Sequence, residues 1–149
     1  MTIDFSLCTD AWAKSKRISD LGLPKYVGWG MHTFKSRSNR FLVMDRFGAD
    51  LQRLFTERGT FSRVCVAQMA LRLIDSLHYL HDSRYVHADI KAANVLLPYS
   101  KAAKQPPVKT VYLVDFGLTA KFADSDGTHK PYKQVRGRGC IELKLEWNF

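Results

Sequence analysis

Residues 85–94 read Tyr85-Val86-His87-Ala88-Asp89-Ile90-Lys91-Ala92-Ala93-Asn94, and Val114-Asp115-Phe116-Gly117 answers them downstream. One short loop thus carries a carboxylate, an amine and an amide: Asp89, Lys91 and Asn94. A second carboxylate, Asp115, follows the β-rich run 110–114. Tyr85-Val86 before the loop and residues 95–97 after it are β-forming and read as short flanking strands. Strand, loop, strand, then a strand ending in Asp115 is a geometry that brings Asp89 and Asp115 to one cleft. The bland alternative is a surface loop with two unrelated carboxylates. The length and order of the combined pattern weigh against it.

The rest of the chain sets bounds on what such a cleft serves. Its 149 residues make one small domain with a real core, and 46% hydrophobic content is ordinary for a globular protein. A net charge of +9 favours acidic partners such as nucleotide phosphates, nucleic acid or chromatin, although any single Lys or Arg reads as solvated surface. There is no aromatic-and-basic nucleic-acid motif. No apolar run approaches a membrane span, and the first residues lack a signal-peptide pattern. Cys8, Cys65 and Cys140 have neither metal-ligand nor disulfide spacing. A reducing compartment, nucleus or cytoplasm, follows, with Cys65 expected as a core filler. Nothing in the pattern specifies an oligomeric state.

Taken in order, residues 11–18 predict a short helix that Leu21-Gly22-Leu23-Pro24 terminates. Residues 26–31 and 40–44 predict a hairpin about a polar turn at 35–39. Asp45-Arg46-Phe47-Gly48 breaks the pattern, and a helix capped by Asp50 runs to about Thr56. Residues 61–81 predict the longest helix, capped by Thr60 or Ser62. Its expected core face is Val64, Ala67, Leu71 and Ile74, then Leu77 or His78 and Leu80 or His81. His78 and His81 read as packing or capping residues. Residues 98–109 read as an exposed loop and 124–131 as turn-rich.

The chain resembles the eukaryotic protein kinases, and among them the vaccinia-related kinases of the casein-kinase-1-like group. The resemblance rests on residues 21–26 with Gly28 and Gly30, on residues 40–51, and on the stretches 85–97 and 111–118. It implies an α+β fold, a partial protein-kinase-like domain truncated at both ends. Residues 1–44 would be an N-lobe remnant hairpin, 45–48 the hinge, 49–133 the first part of the helical C-lobe, and 134–149 a divergent tail. It implies a serine/threonine protein kinase using ATP and Mg²⁺ on protein substrates, chromatin proteins included. Asp89 would be the base that takes the substrate hydroxyl proton, and Lys91 would reach the transferring phosphoryl group. Asn94 and Asp115 would hold Mg²⁺. Met44 would be the gatekeeper, and the backbone of Asp45 to Phe47 would bind adenine.

The departures from that pattern shape the expectation. No glycine-rich loop and no V-A-I-K-type lysine occur upstream, and no glutamate precedes Glu57. The Lys–Glu pair that fixes the nucleotide phosphates has no candidates. A weakly active or inactive kinase chain is therefore weighed against a non-catalytic, pseudokinase-like fragment that binds partners of a full-length kinase. Ala88 stands where most kinases carry the Arg that pairs with a phosphorylated activation loop, so activity is expected not to depend on such phosphorylation.

Overall fold

The computed structural model describes residues 6–101 and 110–131. The predicted tail at 134–149 lies outside them, as does most of the 98–109 loop. The architecture is α+β, as expected.

Helix α1 spans Ser6–Ser15, beginning earlier and ending earlier than the sequence suggests. It stops because Arg17 takes a left-handed conformation (φ 57°), while the Ile18 N–H reaches back to the Ala13 carbonyl at 2.9 Å. That closure turns Ile18 out of the helix and onto the core.

Strands β1 (Tyr26–Phe34) and β2 (Arg37–Met44) form an antiparallel ribbon, both longer than predicted. The turn is only Lys35-Ser36, both at positive φ (46° and 63°), the geometry whose twist suits a two-residue hairpin. Polarity at 37–39 misled the reading, because this part of the ribbon is exposed and pairs through its backbone regardless of side chain.

Strand β3 (Phe47–Asp50) follows at once, so Phe47 and Gly48 are paired backbone rather than a break. Asp50 ends β3 and caps α2 (Leu51–Arg58), accepting from the Arg53 N–H at 2.8 Å. Gly59 closes that helix at φ 80°. Ser62, not Thr60, caps α3 (Arg63–Asp82) through the Cys65 N–H.

Helix α3 corrects the largest expectation. Its buried residues are Met69, Ser76, Tyr79 and Leu80, with Leu73 and Leu77 partly buried. Val64, Leu71 and Ile74 are 66%, 64% and 59% exposed. The helix carries apolar residues on more than one face: of the expected positions Leu77 and Leu80 pack inward, while Val64, Ala67, Leu71 and Ile74 point outward. Cys65 is half-buried on α3 and is not part of the core.

Strands β4 (Tyr85–Val86) and β7 (Ala120–Lys121) pair with each other. Strand β5 (Val95–Pro98) is the centre of a sheet ordered β3-β5-β6, where β6 is Tyr112–Leu113. The core joins this sheet to α2 and α3 through Leu54, Leu80, Leu97, Val111 and Leu113. Segment 20–22 is stitched onto it. Leu113 N–H donates to the Gly22 carbonyl at 2.8 Å, Ser76 Oγ donates to the Leu21 carbonyl at 2.7 Å, and Tyr112 Oη donates to Asp20 Oδ2 at 2.9 Å.

Candidate active site

The β5–β6 register pairs Val95 with Leu113 and Leu96 with Tyr112. Asn94 enters β5 and Asp115 leaves the run through β6, so the ladder sets Asn94 opposite Val114, the residue before Asp115. The Val114 N–H donates to the Asn94 carbonyl at 2.9 Å, which continues the ladder to the site itself.

The loop from β4 to β5 folds into a tight polar cluster. Lys91 Nζ lies 2.8 Å from Asp89 Oδ2, and Asn94 Nδ2 donates to both Asp89 Oδ2 and the Asp89 carbonyl at 2.9 Å. The Lys91 ammonium foremost, with Asn94, holds the Asp89 carboxyl below the usual carboxylate range against an opposing desolvation effect. Asp89 is thus a carboxylate with its acceptor oxygens oriented, beside an amine that reaches solvent. Asn94 is buried, and its amide points its nitrogen at Asp89 and so directs Oδ1 away from it.

His87, part of the loop read from the sequence but given no role there, is the hinge-pin of the site. It is 1% exposed; its Nε2 lies 3.0 Å from the Val114 carbonyl, and its Nδ1 accepts from the Asp89 N–H at 3.3 Å. Those two bonds assign the neutral tautomer protonated on Nε2. One ring therefore ties the residue before Asp115 to Asp89. The Phe116 ring meets it edge-on at 5.0 Å between centroids.

Burial pushes the His87 pKa below its ordinary 6.5, outweighing the Val114 bond and the nearby carboxylates. The unfolded chain takes up a proton near 6.5 and the folded chain resists it. Stability from this group is therefore full above that value and falls as pH drops below it. In an NMR titration the His87 ring is expected to charge only below its ordinary 6.5; a His87 midpoint at or above that value would contradict the assignment.

Ala88 and Asp115 both sit in the left-handed region, at φ 65° and 64°. Each costs roughly 1–2 kcal/mol relative to ordinary backbone. Such strain persists where the surroundings over-determine it, and it clusters at working sites. Here it sets the backbone at Ala88, next to Asp89, and at Asp115 itself. Asp115 Oδ1 accepts from the Gly117 N–H at 3.3 Å, and the carboxyl is exposed.

Among the described residues no three His, Cys, Asp or Glu side chains gather to hold a metal. The oxygen donors Asn94 Oδ1 and Asp115 fit a hard cation completed by water and phosphate oxygens, the habit of Mg²⁺ rather than of zinc. Met44 ends β2, Asp45 follows it, and Phe47 opens β3. Phe47 packs on Tyr112 at 4.9 Å between centroids, and the Arg46 guanidinium covers Tyr99 at 4.3 Å. Burial first, then Asp20 and the charge of Asp45, pushes the Tyr112 hydroxyl up to about 12, so it stays protonated and donates to Asp20.

Two strands joined by a ladder, a carboxylate–lysine–asparagine loop and a second carboxylate beyond it are consistent with the domain of a protein kinase. Residues 16–137 match the protein kinase domain family. The chain belongs to that family, within its vaccinia-related branch. It is 42% identical to the human serine/threonine-protein kinase VRK2 over 89% of this chain and 25% of that one. It is 34% identical to the fowlpox virus probable serine/threonine-protein kinase FPV212, over 83% and 38% of the respective chains. It is 35% identical to nucleosomal histone kinase 1 of Drosophila melanogaster, over 80% and 20%. The chain thus spans between a fifth and two-fifths of these relatives. The ribbon β1–β2 belongs to the smaller lobe of that fold, and the sheet with α2 and α3 to the larger.

Proposed function

We propose that this site performs the phosphoryl-transfer step of a serine/threonine protein kinase, moving phosphate from Mg²⁺–ATP to a hydroxyl on a protein. The observation that carries the reading is the Asp89–Lys91–Asn94 triangle, joined through His87 to the strand bearing Asp115. Asp89 accepts the proton of the substrate hydroxyl. Lys91, already beside it, is within reach of the incoming phosphoryl group. Asn94 and Asp115 hold Mg²⁺, whose role is to neutralise the phosphates. Met44 and the backbone of residues 45–47 receive the adenine. The relative named for nucleosomal histones suggests chromatin proteins as substrates, and with them a nuclear or cytoplasmic location.

The 149-residue chain by itself is expected to transfer slowly or not at all. Without a Lys–Glu pair it lacks a charge aimed at the transition state, and such groups are typically worth about 3–4 kcal/mol. A second reading, a non-catalytic binder of a full-length kinase's partners, is favoured by one observation. Trp29, Phe34, Phe41 and Leu42 on the ribbon are 57%, 60%, 49% and 52% exposed, more apolar surface than a solitary hairpin usually shows.

Thermal unfolding with Mg²⁺–ATP separates the readings. A ligand that binds only the folded chain raises the midpoint, by about 2.7 kcal/mol of stability at a hundredfold excess over Kd. The catalytic reading expects an upward shift that disappears in Asp115→Asn. A cooperative melt with no shift in the native chain would sink it in favour of the binding reading.

A further inference from the structure

The segment that follows Asp115-Phe116-Gly117 is folded onto the loop before Asp89 by contacts that involve no phosphate. Strand β7 pairs with β4, and the Phe122 N–H donates to the Arg84 carbonyl at 3.0 Å. The Lys130 N–H returns to the Phe122 carbonyl at 2.7 Å, and the Asp124 N–H bonds the Thr128 carbonyl at 3.0 Å. Ala123 is buried, and Phe122 lies edge-on to His81 at 6.2 Å. At the centre, Arg84 Nη1 donates to the Asp124 carbonyl at 2.6 Å across 40 positions of sequence. Lys130 Nζ closes the same turn on Asp124 Oδ1 at 3.1 Å.

Two features make Arg84 more than one contact among many. Its backbone is left-handed, at φ 65°, a conformation that costs a non-glycine residue energy and aims its side chain. And Arg84 holds the segment twice, its carbonyl accepting the Phe122 N–H and its guanidinium reaching the Asp124 carbonyl. That acceptor is a fixed main-chain group rather than one that must be added.

We propose that Arg84 is a positioning residue that holds residues 119–130 against the catalytic loop permanently, without modification. The effect on the site runs through Thr119, whose Oγ1 donates to the His87 carbonyl at 3.4 Å, directly beside Ala88 and Asp89. A segment held there keeps one wall of the substrate approach to Asp89 fixed. Its consequence for catalysis rests on the kinase reading, but the positioning itself does not.

Amide hydrogen exchange on the full chain tests it, and a chain without transferase activity serves equally well. After phosphatase treatment, the Phe122 and Lys130 amides are expected to remain protected. Arg84→Asn keeps a residue tolerant of positive φ and removes the charge. It should speed exchange at those two amides by about 10- to 100-fold, the worth of a hydrogen bond to a charged group, while α3 stays protected. Arg84→Lys, which restores a cationic donor, should recover most of the protection. The proposal is overturned by loss of protection on dephosphorylation, or by unchanged exchange in Arg84→Asn. Equal loss across α3, or no recovery in Arg84→Lys, overturns it too. Absence of Mg²⁺–ATP binding with these exchange results intact would sink the catalytic reading and leave the positioning standing.

Discussion

Gly22→Ala is expected to cost this fold about 2–4 kcal/mol, the sum of left-handed strain and overpacking. Gly22 sits at φ 68°, and a Cβ there would stand 2.7 Å from the Val111 carbonyl oxygen and 3.0 Å from Ser76 Oγ. Neither neighbour can yield cheaply. Val111 is in the core, and Ser76 is fully buried with its hydroxyl committed to the Leu21 carbonyl at 2.7 Å and the Arg72 carbonyl at 3.0 Å. A shift of segment 20–22 would also lengthen the bond from the Leu113 N–H, on the strand that leads to Asp115. Chemical denaturation should show the midpoint falling at nearly constant slope, and the melting temperature dropping by about 10 °C for a chain of this size. A loss under about 1 kcal/mol would mean that this staple does not hold the two parts together.

His87→Ala is the second large effect, again about 2–4 kcal/mol, from the cavity and from two buried groups left without a partner. The Val114 carbonyl loses its donor and the Asp89 N–H its acceptor, and Phe116 loses the ring it packs on. The damage is centred where Asp89 and Asp115 are joined, so any stabilisation by Mg²⁺–ATP should vanish along with part of the fold. His87→Gln separates the two consequences, since an amide offers both a donor and an acceptor. It is expected to recover part of the stability and little of the nucleotide response. If His87→Ala unfolded at the wild-type midpoint and still responded to Mg²⁺–ATP, His87 could not be what joins the two halves of the site.

The candidate site was the most legible part of the molecule, because its chemistry is written in local spacing. Asp89, Lys91 and Asn94 lie on one loop, and their hydrogen bonds to one another form within it. The capping roles of Asp50 and Ser62 were legible for the same reason: each side chain bonds the N–H of a residue on the following turn. The connection bearing Met44, Asp45 and Phe47 was placed by resemblance rather than by any chemical signature of its own. The hairpin was found but its turn was not, since exposed strands need no apolar alternation.

What the sequence determined by itself is therefore what neighbouring residues can settle: helix starts, strand propensity, the order of the two carboxylates and the loop that presents the first. What only the tertiary structure decided is which surfaces meet. α3 offered several apolar stripes, and the choice of Met69 and Tyr79 over Val64, Leu71 and Ile74 came from the sheet it packs on. Ser76 reads as an ordinary polar residue in a helix until segment 20–22 lies across it. Asp20 with Tyr112, and Arg84 with Asp124, are 92 and 40 positions apart, and no local pattern announces either pair. Hydrophobic burial is non-directional and fixes a helix face only once a partner surface exists. Hydrogen bonds between distant groups form only after that docking has brought them within reach.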